Sequence, residues 1–137
     1  MKNIFVDTNI IIDLIADRQP FSKHAIKIFK QAASKKICLF TSSHSIATSH
    51  YLLKRFLGEK ELREVLLNLF EFITVIAVDV NVLTKGLRSH HKDFEDAVQI
   101  ICALSIEDLD CIVTRNGKDF KKSGILILAP EELCAKL

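Results

Sequence analysis

The chain has 137 residues, of which 49% are hydrophobic and 26% charged, with a formal net charge of +2. That balance excludes a disordered chain, and the length suits one domain, expected to span residues 1–137, that builds its core without disulfide or metal staples. A charge so close to zero neither demands nor excludes a nucleic-acid partner, so the placement of the charges has to decide.

Residues 3–6, Asn-Ile-Phe-Val, form the first expected strand, which delivers Asp7-Thr8-Asn9 at its carboxyl end. A short helix over 9–17 follows, then a second over 22–35 behind Pro20. A strand at 37–40 leads to a helix over 45–57 that Gly58 is expected to stop as a C′ residue. The helix over 60–71 sets Leu62, Val65, Leu66 and Leu69 on one face. A third strand covers 73–78, Asp79 caps a helix over 80–88, and Asp93 caps another over 94–106. This last helix is apolar around most of its circumference and is expected to pack deep in the molecule. Strands at 111–114 and 125–128 close the series, and Pro130 opens a final short helix from its N1 position.

The strands lack polar alternation, the mark of a sheet covered on both faces, and they alternate with helices. The expected fold is therefore α/β, with a mostly parallel five-stranded sheet and right-handed crossovers. In such sheets ligands bind off the carboxyl ends of the strands, near a topological switch point. Cys38, Cys102, Cys111 and Cys134 lie in apolar stretches with no C-x-x-C pair, which suits buried thiols in a reducing compartment. The run Ile10, Ile11, Ile12 is cut by Asp13 and Asp17, and no segment approaches the ~20 apolar residues of a bilayer span. Cytoplasm, without membrane contact, is the expected location.

Three polar groups stand where the chemistry of such a sheet belongs. Asp7 follows the first strand directly, where it either caps the next helix or serves as a ligand on a rigid element. Asp93, Glu95 and Asp96 open the late helix, more acid than capping requires, with Asp93 the natural cap and Asp96 the natural ligand. Thr114-Arg115-Asn116-Gly117-Lys118-Asp119-Phe120 follows the fourth strand, and Asp119 either reaches the site or caps the turn at Phe120. Thr114 and Asn116 are hydrogen-bonding groups suited to orienting a metal-bound water. Arg88, Lys92, Arg115, Lys118, Lys121 and Lys122 cluster near these acids, as an RNA-facing surface or as an ordinary solvated face. An aspartyl-phosphate phosphatase needs D-x-D after the first strand, and Asn9 stands at the second position. The histidines have no metal-site spacing; metal-free RNA cleavage would need two of them together, and His44, just after the second strand, is the one of interest.

V-D-T-N at the start, D-F-E-D-A-V-Q on a late helix and T-R-N-G-K-D-F after the next strand, in this order, resemble a PIN domain, closest to the VapC-like ribonuclease toxins. The resemblance runs from Lys2 to about Pro130. It implies a three-layer α/β/α sandwich and a Mg²⁺- or Mn²⁺-dependent endoribonuclease that leaves a 5′-phosphate and a 3′-hydroxyl. It also implies a toxin role opposed by a cognate antitoxin. Asp7 and Asp96 match acidic metal-binding positions of the family, with Glu95, Asn116 and Asp119 as further catalytic candidates. Thr8, Asn9, Thr114, Arg115 and Lys118 are the candidates for substrate contact. Two departures stand out: Thr48 lies near the place of the family's usual Glu, and Asn116 takes the fourth acidic position. Those departures raise the alternative of a catalytically weak or inactive PIN-fold protein that acts by binding RNA or protein. The apolar stretches 25–29 and 62–72 are candidates for a homodimer face or an antitoxin groove, unless they are simply core.

Overall fold

Five parallel strands in the order β3-β2-β1-β4-β5 form the sheet of the computed structural model, which describes residues 2–137. The strands are β1 (Lys2–Val6), β2 (Ile37–Ser42), β3 (Ile73–Ile76), β4 (Cys111–Val113) and β5 (Ile127–Leu128). Every pairing is parallel, with Ile4 opposite Leu39 on one side and opposite Cys111 on the other. The chain builds outward from β1 to β2 to β3, then returns to the other side of β1 for β4 and β5. The topological switch therefore lies between β1 and β4, and the crevice it opens is at their carboxyl ends, where Asp7 and Thr114 emerge.

The side-chain alternation along β1 assigns the two faces. Ile4 and Val6 join a large cluster with α1 (Thr8–Ile15), α2 (Ser22–Ala33), α4 (Glu59–Leu69) and α7 (Pro130–Cys134). Phe5 points the other way, into a smaller cluster with Val82 of α5 (Val80–Arg88), Val98 and Ile100 of α6 (Phe94–Leu104), and Phe120. Helices cover both faces, which gives the three layers expected. Ile4, Phe5 and Val6 are wholly buried, each worth about 1.5–3 kcal/mol for a large apolar side chain. The strand that carries Asp7 is thus among the most firmly held parts of the molecule.

The expected caps are present. Asp79 Oδ1 accepts from the Val82 amide at 2.9 Å, Asp93 Oδ1 accepts from the Asp96 amide at 2.9 Å, and Pro130 starts α7. Gly58 is a correction. Helix α3 (Ser43–Leu53) ends earlier, with Lys54 as its C-cap, and Gly58 is the N-cap of α4. Its φ of −64° is not the left-handed conformation a C′ glycine supplies, and its carbonyl accepts from the Leu62 amide. Gly124, at φ 80°, is the left-handed glycine among the described residues, closing a 3-10 helix over Gly117–Ser123. A second correction concerns α6: Ala97, Val98, Ile100, Cys102 and Ala103 are buried, but Phe94 and Leu104 at its two ends are 42% and 58% exposed. Cys102, Cys111 and Cys134 are buried free thiols, whereas Cys38 is only half-buried. No helix among the described residues is long and apolar enough to cross a membrane.

Candidate active site

Asp7 serves as both cap and cleft residue. Its Oδ1 accepts from the Thr8 amide at 2.8 Å, starting α1, and from the Gln99 carboxamide nitrogen at 3.1 Å. Its Oδ2 accepts from the Thr114 hydroxyl at 2.7 Å, and its backbone amide donates to the Val113 carbonyl at 3.0 Å. Contacts from β1, β4, α1 and α6 thus fix one carboxylate at the switch point.

A cleft of about 350 Å³ opens above it. Asp7, Thr8 and Asn9 line it from the start of α1, Glu95, Asp96 and Gln99 from α6, His44 and Thr48 from α3, and Arg115 and Asn116 from the turn after β4. Asp7 and Asp96, far apart in sequence, therefore face one space. Burial and the nearby carboxylates of Asp93, Asp119, Asp7 and Glu95 push Asp96 up to about 6. Partial desolvation and surrounding like charges both disfavour its charged form. An acid held in such negative potential is a good place for a cation, although among the described residues no group of three His, Cys, Asp or Glu is placed to hold a metal. Two carboxylates still meet the small protein share that Mg²⁺ takes, since it keeps several waters and adds substrate phosphate oxygens.

The other expected residues divide clearly. Thr114 is 1% exposed, so it orients Asp7 from below rather than presenting a surface to a ligand. Thr8 donates its hydroxyl to Ser45 Oγ at 2.9 Å. The Asn9 carboxamide bridges Thr114 Oγ1 at 3.4 Å and the Arg115 amide, also at 3.4 Å. Glu95 is exposed, with its Oε1 3.8 Å from His44 Nε2. Lys118 and Asp119 are not on the cleft but on an adjoining groove, with His90, His91, Lys92, Lys121 and Lys122. Asp96 belongs to both grooves, and Asp119 acts on it through charge. Thr48 lines the cleft, so the position near the family's usual Glu does face the site and holds a neutral residue. Only His44 of the histidines lines the cleft, which leaves no histidine pair for metal-free cleavage there.

Sequence reading missed a buried polar network beneath the cleft. Gln99 donates to Ser45 Oγ at 2.7 Å as well as to Asp7, and its Oε1 accepts a short hydrogen bond from Ser42. Ser42 also caps α3 through the Ser45 amide at 3.0 Å. The available signal was Gln99 itself, a polar residue on an otherwise apolar turn of α6.

A family model described as PIN domain matches residues 3–118, most of the chain. The chain is a PIN-domain protein. Ribonuclease VapC1 of Aquifex aeolicus (strain VF5) is 27% identical to this PIN domain over 140 residues, 98% of this chain and 95% of the relative. Solved structures share the fold at lower identity. VapC20 of Mycobacterium tuberculosis, described as a toxin that cleaves the sarcin-ricin loop, superimposes with a TM-score of 0.68 at 22% identity, covering 90% of this chain and 96% of that one. A toxin–antitoxin complex from Klebsiella pneumoniae gives 0.62 at 24% identity, covering 93% and 97%. VapBC-1 from nontypeable Haemophilus influenzae gives 0.63 at 20%, covering 94% and 98%.

Proposed function

We propose that this PIN domain is a VapC-like toxin, an endoribonuclease that hydrolyses RNA phosphodiester bonds with Mg²⁺ or Mn²⁺ held by Asp7 and Asp96. The observation that carries this reading is the meeting of those two carboxylates on one cleft at the switch point of a parallel sheet. The ribonuclease named among its relatives, matched over nearly the full length of both chains, supports the same activity.

A divalent ion bound there supplies Lewis-acid polarisation of a phosphoryl oxygen and a water of lowered pKa. The chain's own residues provide the geometry. Thr114 and Gln99 aim the Asp7 carboxylate, and the Asp93 cap holds the turn that carries Asp96. Asn9, Arg115 and Asn116 rim the cleft for sugar and phosphate contacts, and Thr8 ties that rim to α3. Lys118, Lys121 and Lys122 extend positive charge along the adjoining groove, a path for the strand on the far side of Asp96. Glu95 and Asp119, whose charges act on Asp96, make up for the neutral residues at positions 48 and 116.

An antitoxin is the proposed partner, acting in the cytoplasm. A second groove, of about 440 Å³, is mainly apolar and runs between α2 and α4, with Ile26, Phe29, Val65, Leu69 and Phe72 along it. Its shape and chemistry suit an amphipathic helix laid in a groove. The same face is the candidate for a homodimer, and size-exclusion of the protein alone and with its antitoxin separates the two uses.

The activity is tested by RNA cleavage and Mn²⁺ calorimetry on the wild type and Asp7→Asn. Metal-dependent cleavage that the substitution removes is the expected result. The neutral Thr48 and Asn116 in the cleft wall favour one rival, a PIN protein of little activity that binds RNA or a partner. Absence of both Mn²⁺ binding and Asp7-dependent cleavage would establish that rival instead.

A further inference from the structure

Asp13, on α1, is a carboxylate outside the Asp7–Asp96 pair, and it is 1% exposed. A charge that deep needs partners. Arg115 grips it with two prongs, Nε 2.7 Å from Oδ2 and Nη2 3.0 Å from Oδ1. Arg18 Nε stands 4.0 Å from Oδ1. The Arg115 guanidinium also lies over the Phe21 ring, 4.0 Å from its centroid. Both arginines line the cleft that contains Asp7 and Asp96, and their side chains are 44% exposed for Arg18 and 23% for Arg115.

A guanidinium has five N–H donors, and Asp13 takes only two from Arg115. Two cations around one buried anion also leave positive charge in excess at the edge of an otherwise acidic cleft. We propose that Arg18 and Arg115 bind backbone phosphates of the RNA strand beside the scissile bond, with Asp13 as the positioning residue that fixes both guanidiniums at the cleft edge. This rests on the ribonuclease reading above. Planar, pre-oriented guanidinium is the group of choice for phosphate, and the Asp13 fork and Phe21 ring remove its freedom before the strand arrives. Stability alone is a weak reason for such a pair, since apolar residues of similar volume often replace a buried ion pair without loss.

The test measures binding of a labelled single-stranded RNA by fluorescence anisotropy in Ca²⁺ across a salt series, with Mn²⁺ calorimetry and thermal melting as controls. Three variants are used: Arg18→Ala, Arg115→Lys, and the double Asp13→Leu/Arg115→Met, which removes the buried pair together. The double variant is expected to melt like the wild type, bind Mn²⁺ unchanged and lose about tenfold or more in RNA affinity, the worth of a charge-assisted hydrogen bond. Its slope of log affinity against log salt should fall by about 0.7 for each phosphate that is no longer neutralised. Arg115→Lys keeps the charge without the fork and should recover part of the affinity. Wild-type affinity and slope in all three variants, with Asp7-dependent cleavage intact in the parent, overturn this proposal alone. A parent that neither binds RNA nor cleaves it in an Asp7-dependent way overturns the ribonuclease reading and this proposal with it. Should the double variant fail to fold, the two single variants at partly exposed side chains decide the matter by the same criteria.

Discussion

Replacing Gln99 with Leu tests whether the network under the cleft is structural support for Asp7. Gln99 is 3% exposed, and its carboxamide contacts Asp7, Ser45 and Ser42. A hydrogen bond to a charged acceptor contributes about 1.5–3 kcal/mol and a neutral one about 1 kcal/mol. Ser42 and Ser45 keep each other at 3.3 Å and the Ser45 amide at 3.0 Å, so the substitution effectively removes one neutral bond rather than two. The sum is a destabilisation of about 2.5–4 kcal/mol, which at roughly 4 °C per kcal/mol lowers the melting temperature by about 10–16 °C. Gln99→Glu sharpens the test, because it puts a second carboxyl beside Asp7 in nearly the same shape. Its folded pKa is raised above the unfolded value, so the variant should match the wild type best at low pH and lose stability as pH rises. Calorimetric melting from pH 4 to 8 reads both substitutions. A Gln99→Leu protein melting within about 2 °C of the wild type would refute the reasoning.

Further expectations follow from the same geometry. Asp96, raised to about 6 from 3.8, binds its proton more tightly in the folded state, so as pH falls from above 6 towards 3.8 its contribution to stability improves while Mn²⁺ affinity weakens; metal-free melting and calorimetry at pH 5 and 7.5 should move in opposite directions. Thr114→Val removes the hydroxyl that donates to Asp7 and should weaken Mn²⁺ binding about tenfold, with calorimetry as the check and unchanged affinity counting against an orienting role. Thr48→Glu adds an acid to the cleft wall and should tighten Mn²⁺ binding while raising the Asp96 pKa further, followed by NMR of the carboxyl carbon.

Much of this site was legible because its main carboxylates sit on strongly patterned elements. The apolar run Ile4-Phe5-Val6 leading into Asp7 predicts a buried strand with an acid at its end, and the acidic first turn of α6 announces Asp96 in the same way. The family motifs then supplied the pairing that periodicity cannot give. What stayed hidden depends on contacts distant in sequence. Gln99 reads locally as one polar position on a helix, and only the approach of α3 and β1 shows that it joins Ser42, Ser45 and Asp7. Asp13 reads as an interruption of an apolar run, and nothing nearby announces that Arg115 closes on it. Gly58 misled because a glycine after an apolar helical stretch looks like a C′ stop, whereas the chain turns at Lys54 and uses the glycine to begin α4.

The central position of β1 has one further consequence. With β2 and β4 bonded along both its edges and the Asp7 amide tied to Val113, the base of the cleft has almost no room to adjust. On the ribonuclease reading proposed above, preference for one nucleotide sequence over another would then be set at the cleft edges, by the segment around Arg18 and the turn at Asn116. Those two short stretches are where exchanges between related chains would alter which strand is accepted without disturbing the buried seat of Asp7.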